Sequence, residues 1–367
     1  MEAIFTITLY LSLFAIMFIL CMQTVKSQNW IWAICAVIIY SIVFGMRYGV
    51  GVDYMDYLDA YQRASMDLGI NKFEYGFMFI MNLLAKENLH FSIFFGLIAF
   101  LQLFLIFKGL KKDLYVYPFF CFVFMIGCSW LNFSNGLRQV LAFGFFVLSI
   151  SYVEKRQWIK HYICILLAIS MHSSATILLF LYPLFLLKEN WFKNIKLQLI
   201  LFAIAVICGE IDIISSNFAY FENLFSLEFI EDSDYSIYAQ MDQELHRQVS
   251  KGLGFIIILA TDILLVATSN MYKNSLKSKT LIYIYNLFFI GILLKYSLIQ
   301  SHIVQRLNMY FYGLQIIVAA YALYFLHKEK KKRLSYTLTS LYILTFVATM
   351  LSMNKNTALF RFFWDAI

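Results

Sequence analysis

Apolar stretches close to the roughly 20 residues that cross a bilayer alternate with short polar turns through most of the chain. They lie at about 4–22, 30–46, 91–107, 116–133, 136–153, 195–210, 253–269, 279–300, 303–326 and 335–353. The stretch 160–188 is too long for one crossing and is basic at both ends, which predicts a tight helical hairpin turning near 172–175. Between Arg47 and about His90 the one apolar piece is 74–85. As a helix it would extend about 18 Å, short of the roughly 30 Å hydrocarbon core, which predicts a short re-entrant or interfacial helix. Residues 210–252 carry nine acidic and few basic side chains and predict one large external loop. The apolar runs are continuous rather than alternating, which excludes a β-barrel. The pattern predicts an all-α polytopic membrane protein of about 12 transmembrane helices (range 10–13), folded as a single integral membrane domain over 1–367. No internal repeat is visible.

Composition agrees: 62% of the 367 residues are apolar, 14% are charged and the mean hydropathy is +0.72. The net charge of +7 comes from lysine-rich turns and does not indicate nucleic-acid binding. The six cysteines (21, 35, 121, 128, 164 and 208) all fall in apolar spans without metal-ligand spacing and read as helix packing. The first span lacks a basic leader and a cleavage site, and reads as a retained helix.

Charge placement changes the picture most. Lysines recur at every second turn, at 108–112, 154–156, 188–196, 273–279 and 328–333, and the positive-inside rule puts these turns in the cytoplasm. The opposite turns then hold Arg47, Arg63, Arg138, Arg247, Arg306 and Arg361, six of the eight arginines. Topology does not require arginine on the outside. Gripping phosphate does, because guanidinium makes paired, charge-assisted hydrogen bonds.

Several outward stretches carry candidate chemistry. Arg47-Tyr48-Gly49-Val50-Gly51-Val52-Asp53-Tyr54 sets an arginine, two permissive glycines and an acid on one loop, and Asp56, Tyr57, Asp59 and Tyr61 extend it. Arg138 opens an otherwise apolar helix, a costly position that marks function by default. His172 sits within Ser170-Met171-His172-Ser173-Ser174 at the predicted hairpin turn, where a group titrating near neutrality is a candidate general base or donor. Arg306 shares a helical face with His302 and Tyr310. Glu74 opens the short apolar helix, where an acid also serves as a cap. The acidic loop offers Tyr235, Tyr238, Asp242, Glu244, His246 and Arg247, residue types suited to carbohydrate. Asp262 and Lys295 lie inside spans and are placed to pair with each other. No nucleotide loop, metal-ligand set or hydrolase nucleophile motif is present, and Asp232-Ser233-Asp234 is too weak alone.

The order of Arg47-x-x-x-Gly51-x-Asp53-Tyr54, Phe73-Glu74-x-Gly76-Phe77, Leu137-Arg138-Gln139 and Met171-His172-Ser173-Ser174-Ala175 resembles the EpsG-like family of bacterial Wzy-type polysaccharide polymerases. The likeness runs from Arg47 to about Pro183 and loosens after the eighth span. Arg306 with Tyr310 fits a late external Arg-x-x-x-Tyr. The resemblance implies assembly of O-antigen, capsule or exopolysaccharide on the outer side of a bacterial inner membrane, in a GT-C-like helical fold without a metal or other cofactor. It implies that donor and acceptor are glycans on undecaprenyl diphosphate, with a chain-length regulator and a flippase as partners. Segments 47–90 and 210–252 would wall the active-site cavity.

On that expectation Arg138, Arg306 and Arg47 stabilise the departing diphosphate. His172, Asp53 or Glu74 activates the acceptor hydroxyl, and Tyr54, Tyr57, Tyr310, Tyr238 and Arg247 contact or support the glycan. Direct attack inverts the anomeric carbon. A ligase passing finished glycan to another acceptor would use the same chemistry. A transporter should show internal repeats or paired broken helices near the midplane, and a membrane acyltransferase leaves the outward arginines unexplained.

Overall fold

The computed structural model describes residues 2–68, 73–187, 190–211, 252–353 and 358–366. Among the described residues every regular element is helical, and extended chain pairs only in an isolated antiparallel bridge between Arg47 and Phe362. The chain divides into two compact units, 1–189 with 319–367, and 190–318. The first unit holds α1 (Glu2–Ser27), α2 (Ile31–Gly45), α3 (Tyr54–Ser65), α4 (Tyr75–Lys86), α5 (Phe91–Gly109), α6 (Tyr117–Ile126), α7 (Trp130–Asn135), α8 (Leu137–Glu154), α9 (Trp158–Met171) and α10 (Leu181–Leu187). The second holds α11 (Ile195–Ile211), α12 (Leu253–Ala267), α13 (Ser269–Leu276), α14 (Lys279–Ser297), α15 (His302–Leu307) and α16 (Met309–Tyr312). Helix α17 (Gln315–Lys328) leads from the second unit back into the first, where α18 (Lys332–Leu351) completes it.

Among the described residues, six helical stretches are long and apolar enough to cross a membrane: Glu2–Ser27, Phe91–Gly109, Leu137–Glu154, Lys279–Ser297, Val304–Lys328 and Lys332–Leu351. A seventh arises if α12 and α13, bent by 48° at Thr268, form one broken span. The chain is therefore a multi-pass helical membrane protein. Helices α2 and α9 are apolar but shorter. The short helix expected at 74–85 is α4, and the expected hairpin turns at His172, where α9 gives way to a 3₁₀ turn (Ser173–Phe180) that packs back on α9.

One expected span, 116–133, is broken. Helix α6 stops at Gly127, Cys128 takes the left-handed φ of 54°, and the short α7 follows. A Cβ at Gly127 would lie 2.9 Å from the Tyr342 ring and closer still to the Val123 carbonyl oxygen, so both the local turn and the approach of α18 favour glycine there. The turn is sealed by fully buried Trp130, whose indole donates to the Met125 carbonyl at 3.2 Å. The break sets Ser134 and Asn135 just before α8, where the site is built.

Small residues also set the α2–α5 crossing. A Cβ on Gly45 would lie 2.8 Å from the Gly96 Cα, so the two backbones meet directly.

The two ends of the first unit differ chemically. At one end Lys112 pairs with Glu154 at 2.8 Å, Lys111 lies over the Trp30 ring at 4.1 Å, and Tyr115 packs on Tyr324 at 4.2 Å. At the other end are Arg47, Arg138, Arg361 and His172, at the start of α1 and α8 and the end of α2 and α9. In this unit the lysine turns and Arg47, Arg138 and Arg361 thus lie at opposite ends, as the alternation of the sequence predicts for them.

In the second unit fully buried Asp262 of α12 pairs with Lys295 of α14 at 3.3 Å. The same carboxylate oxygen accepts from the hydroxyls of Tyr296 at 2.9 Å and Tyr312 at 2.8 Å. Removing one ion of such a pair strands the other, at a cost of about 3–5 kcal/mol in water-soluble proteins and less in a bilayer. Asp262→Leu alone is expected to lower thermal stability in detergent. The double change with Lys295→Met should recover most of the loss. A double variant no more stable than the single would show the network to be worth more than charge balance.

Candidate functional site

At the arginine end of the first unit, the chain leaving α2 makes a glycine-rich loop around Arg47. Gly49 and Gly51 take φ of 66° and 109°, angles that disfavour side chains. Arg47 is 1% exposed, and three of its nitrogens each donate to a main-chain carbonyl: Nη1 to Phe44 at 2.8 Å, Nη2 to Ser134 at 2.9 Å and Nε to Val50 at 3.3 Å. Tyr54 stacks on Phe95 at 4.6 Å and donates its hydroxyl to the Arg47 carbonyl. The C-terminal segment closes this base, with Tyr48 N–H donating to the Arg361 carbonyl and Phe363 N–H to Met46. Arg47 and Tyr54 thus form a scaffold, with the main chain occupying the guanidinium that the sequence offers to phosphate.

Above it lies a cluster built from three distant segments. Arg138, in the first turn of α8, donates to Glu74 at 2.6 Å. It also donates to the Tyr57 hydroxyl from α3 and lies over the Phe73 ring at 4.6 Å. The other Glu74 oxygen accepts the Ser173 N–H at 2.8 Å, and His172 is near enough to interact with the carboxylate electrostatically. Helix α4 reaches α9 because residue 76 is glycine. A Cβ there would lie 2.5 Å from the Met171 side chain and closer still to Ser170. Asp53 immediately precedes α3 without a side-chain capping bond, and its N–H donates to the Asn135 side chain at 2.9 Å, tying the glycine loop to the turn before α8.

Arg138 and Glu74 keep only 21% and 15% of their side-chain surface, so their attraction is weakly screened. The Arg138 Nε–H is buried and has no hydrogen-bond partner among the described residues. Burial opposes ionisation of Glu74, but Arg138, His172 and the Ser173 N–H together outweigh it and hold the carboxyl below its ordinary range. A carboxyl depressed in the folded state stabilises above its unfolded pKa, about 4.3, and loses that contribution as pH falls through its folded value. Wild-type thermal stability should therefore fall as pH drops below about 4.3, more steeply than that of Glu74→Gln. Parallel curves would show that Glu74 carries no such linkage.

The structure therefore brings together Arg138, Glu74, His172 and Tyr57, with Asp53 tied in through Asn135. In the second unit Arg306 and Tyr310 lie on the one helical stretch Val304–Lys328, Arg306 exposed and Tyr310 fully buried, so they share the helix but not exposure. Tyr238 and Arg247 lie outside the described residues. Sequence reasoning did not assign Phe73, Asn135 or Ser174 a part, although each adjoins or sits within a stretch it singled out. Distance along the chain hides such supporting contacts.

The model of the EpsG family matches residues 30–364 of this chain. No curated protein and no solved structure matches it.

Proposed function

The chain belongs to the EpsG family, and we propose that it polymerises polysaccharide by transferring a growing glycan from undecaprenyl diphosphate to a repeat unit on the same lipid. Family membership supports a polymerase of polysaccharide biosynthesis in a multi-pass membrane protein. The observation that carries the finer reading is the Arg138–Glu74 pair seated beside His172. Bond cleavage leaves charge on a diphosphate, and a preorganised guanidinium in a shielded site stabilises charge as it develops. Glu74 and Tyr57 orient Arg138, and Arg47 holds the loop beneath. Both Glu74 oxygens are engaged, which leaves His172 and Asp53 as candidates to take the acceptor proton. Attack by the acceptor hydroxyl on the anomeric carbon inverts it, and the diphosphate leaves with the bonding pair.

We read the site as facing the periplasm or outside of a bacterial inner membrane, because the opposite end carries the lysines. We also read the shorter helices as completing about twelve crossings in a GT-C-like arrangement. Arg306, Tyr310, Tyr238 and Arg247 are further candidates for the diphosphate and glycan. A metal-independent reaction, a chain-length regulator and a flippase complete this reading.

Deletion in a native host tests it against the ligase alternative. Loss of a polymerase leaves single repeat units attached to their final acceptor. Long chains stranded on carrier lipid would instead identify a ligase.

A further inference from the structure

His172 ends α9 and caps the 3₁₀ turn that follows. The Ser174 N–H donates to its Nδ1 at 3.3 Å, and the Ser174 hydroxyl lies 2.6 Å from the same atom. A hydroxyl can turn to donate or accept, but a main-chain N–H can only donate. Nδ1 must therefore offer a lone pair, and the ring proton of neutral imidazole resides on Nε2. A histidine fixed this way presents a donor. To act as a base through Nε2 it would have to give up the cap.

The same arrangement recurs at His90. There the Ser92 N–H donates to Nδ1 at 3.3 Å, and the Ser92 hydroxyl lies at 2.8 Å. His-x-Ser is thus a helix-capping device in this chain. What distinguishes His172 is its neighbour, the Glu74 carboxylate that orients Arg138. A donor beside an arginine suits an anionic oxygen rather than a proton awaiting removal.

We propose that His172 donates a hydrogen bond from Nε2–H to a diphosphate oxygen of the lipid-linked donor, with Ser174 as the positioning residue that fixes its tautomer. This rests on the transfer reaction proposed above, and leaves Asp53 as the group that takes the acceptor proton. No covalent bond forms to the histidine.

Side-chain length makes the test. An asparagine amide oxygen occupies about the place of Nδ1 and keeps the cap. A glutamine amide nitrogen reaches about the place of Nε2 and can donate but cannot act as a base. With a synthetic diphosphate-linked repeat unit, His172→Asn should fold normally and lose about 100-fold in transfer, the scale of one lost oxyanion donor. His172→Gln should stay within about tenfold of wild type, judged on the same scale. His90→Asn, the matched cap replacement, should transfer normally. Solid-state nitrogen NMR of histidine-labelled membranes, differenced against His172→Asn, should show an unprotonated Nδ1 and a protonated Nε2. Full activity in His172→Asn would reduce the residue to a cap and overturn the proposal. Inactivity in His172→Gln equal to that in His172→Asn, or a protonated Nδ1, would also overturn it. If wild type transfers nothing from the diphosphate-linked substrate, the polymerase reading fails, and the NMR difference still decides the tautomer.

Discussion

Cells carrying Arg138→Ala are expected to make no polymer while keeping the full-length protein in the membrane. Loss of one preorganised donor to a developing oxyanion costs about 100- to 1,000-fold, roughly 3–4 kcal/mol. Arg138→Lys should also fail largely. A lysine is a point charge that cannot bond Glu74 and Tyr57 through a planar fork while lying over the Phe73 ring. The alanine variant strands Glu74, so lost activity could be confused with lost stability. Arg138→Ala combined with Glu74→Gln removes the stranded charge. The double variant should accumulate like wild type and still make no polymer, read by immunoblot of membranes and by gel profile of the glycan. Wild-type chain lengths from Arg138→Lys cells would remove Arg138 from the chemistry.

Arg47→Met is expected to fail differently, by not accumulating. The change leaves the carbonyls of Phe44, Val50 and Ser134 without their donor in a buried setting. Each such loss costs about 1–3 kcal/mol. Three together approach a large share of the roughly 5–15 kcal/mol that holds a typical domain together. Membrane abundance and the melting temperature in detergent should both drop sharply. An Arg47→Met protein that is abundant and stable but inactive would instead put Arg47 on the substrate.

The contrast between these arginines shows what the sequence makes legible. Both stand in polar turns at membrane edges, and the cost of placing charge there marks both as used. The use differs because of what lies across the fold. Arg47 meets the local carbonyls of Phe44 and Val50 and the Ser134 carbonyl from the short helix after the break, and Arg138 meets a carboxylate 64 residues away. Helix positions were readable because apolar run length maps directly onto helix length. Helices α1, α2, α4, α5, α8, α11, α14 and α18 fall close to their predicted places. The break at Gly127–Cys128 was not readable, because it falls inside a continuous apolar run where a lone glycine is weak punctuation and Cys128 is no breaker. Pairing of Asp262 with Lys295 was readable, since two opposite charges inside apolar spans have few other ways to be tolerated. The tyrosines that share their carboxylate were hidden in an aromatic-rich background.

Purified protein given synthetic undecaprenyl-diphosphate-linked repeat unit, wild type beside Arg138→Ala, measures the account most directly. The expected result is a ladder of lengthening products and released undecaprenyl diphosphate from wild type, and neither from an equally folded Arg138→Ala. A ladder of equal yield from both proteins would contradict it.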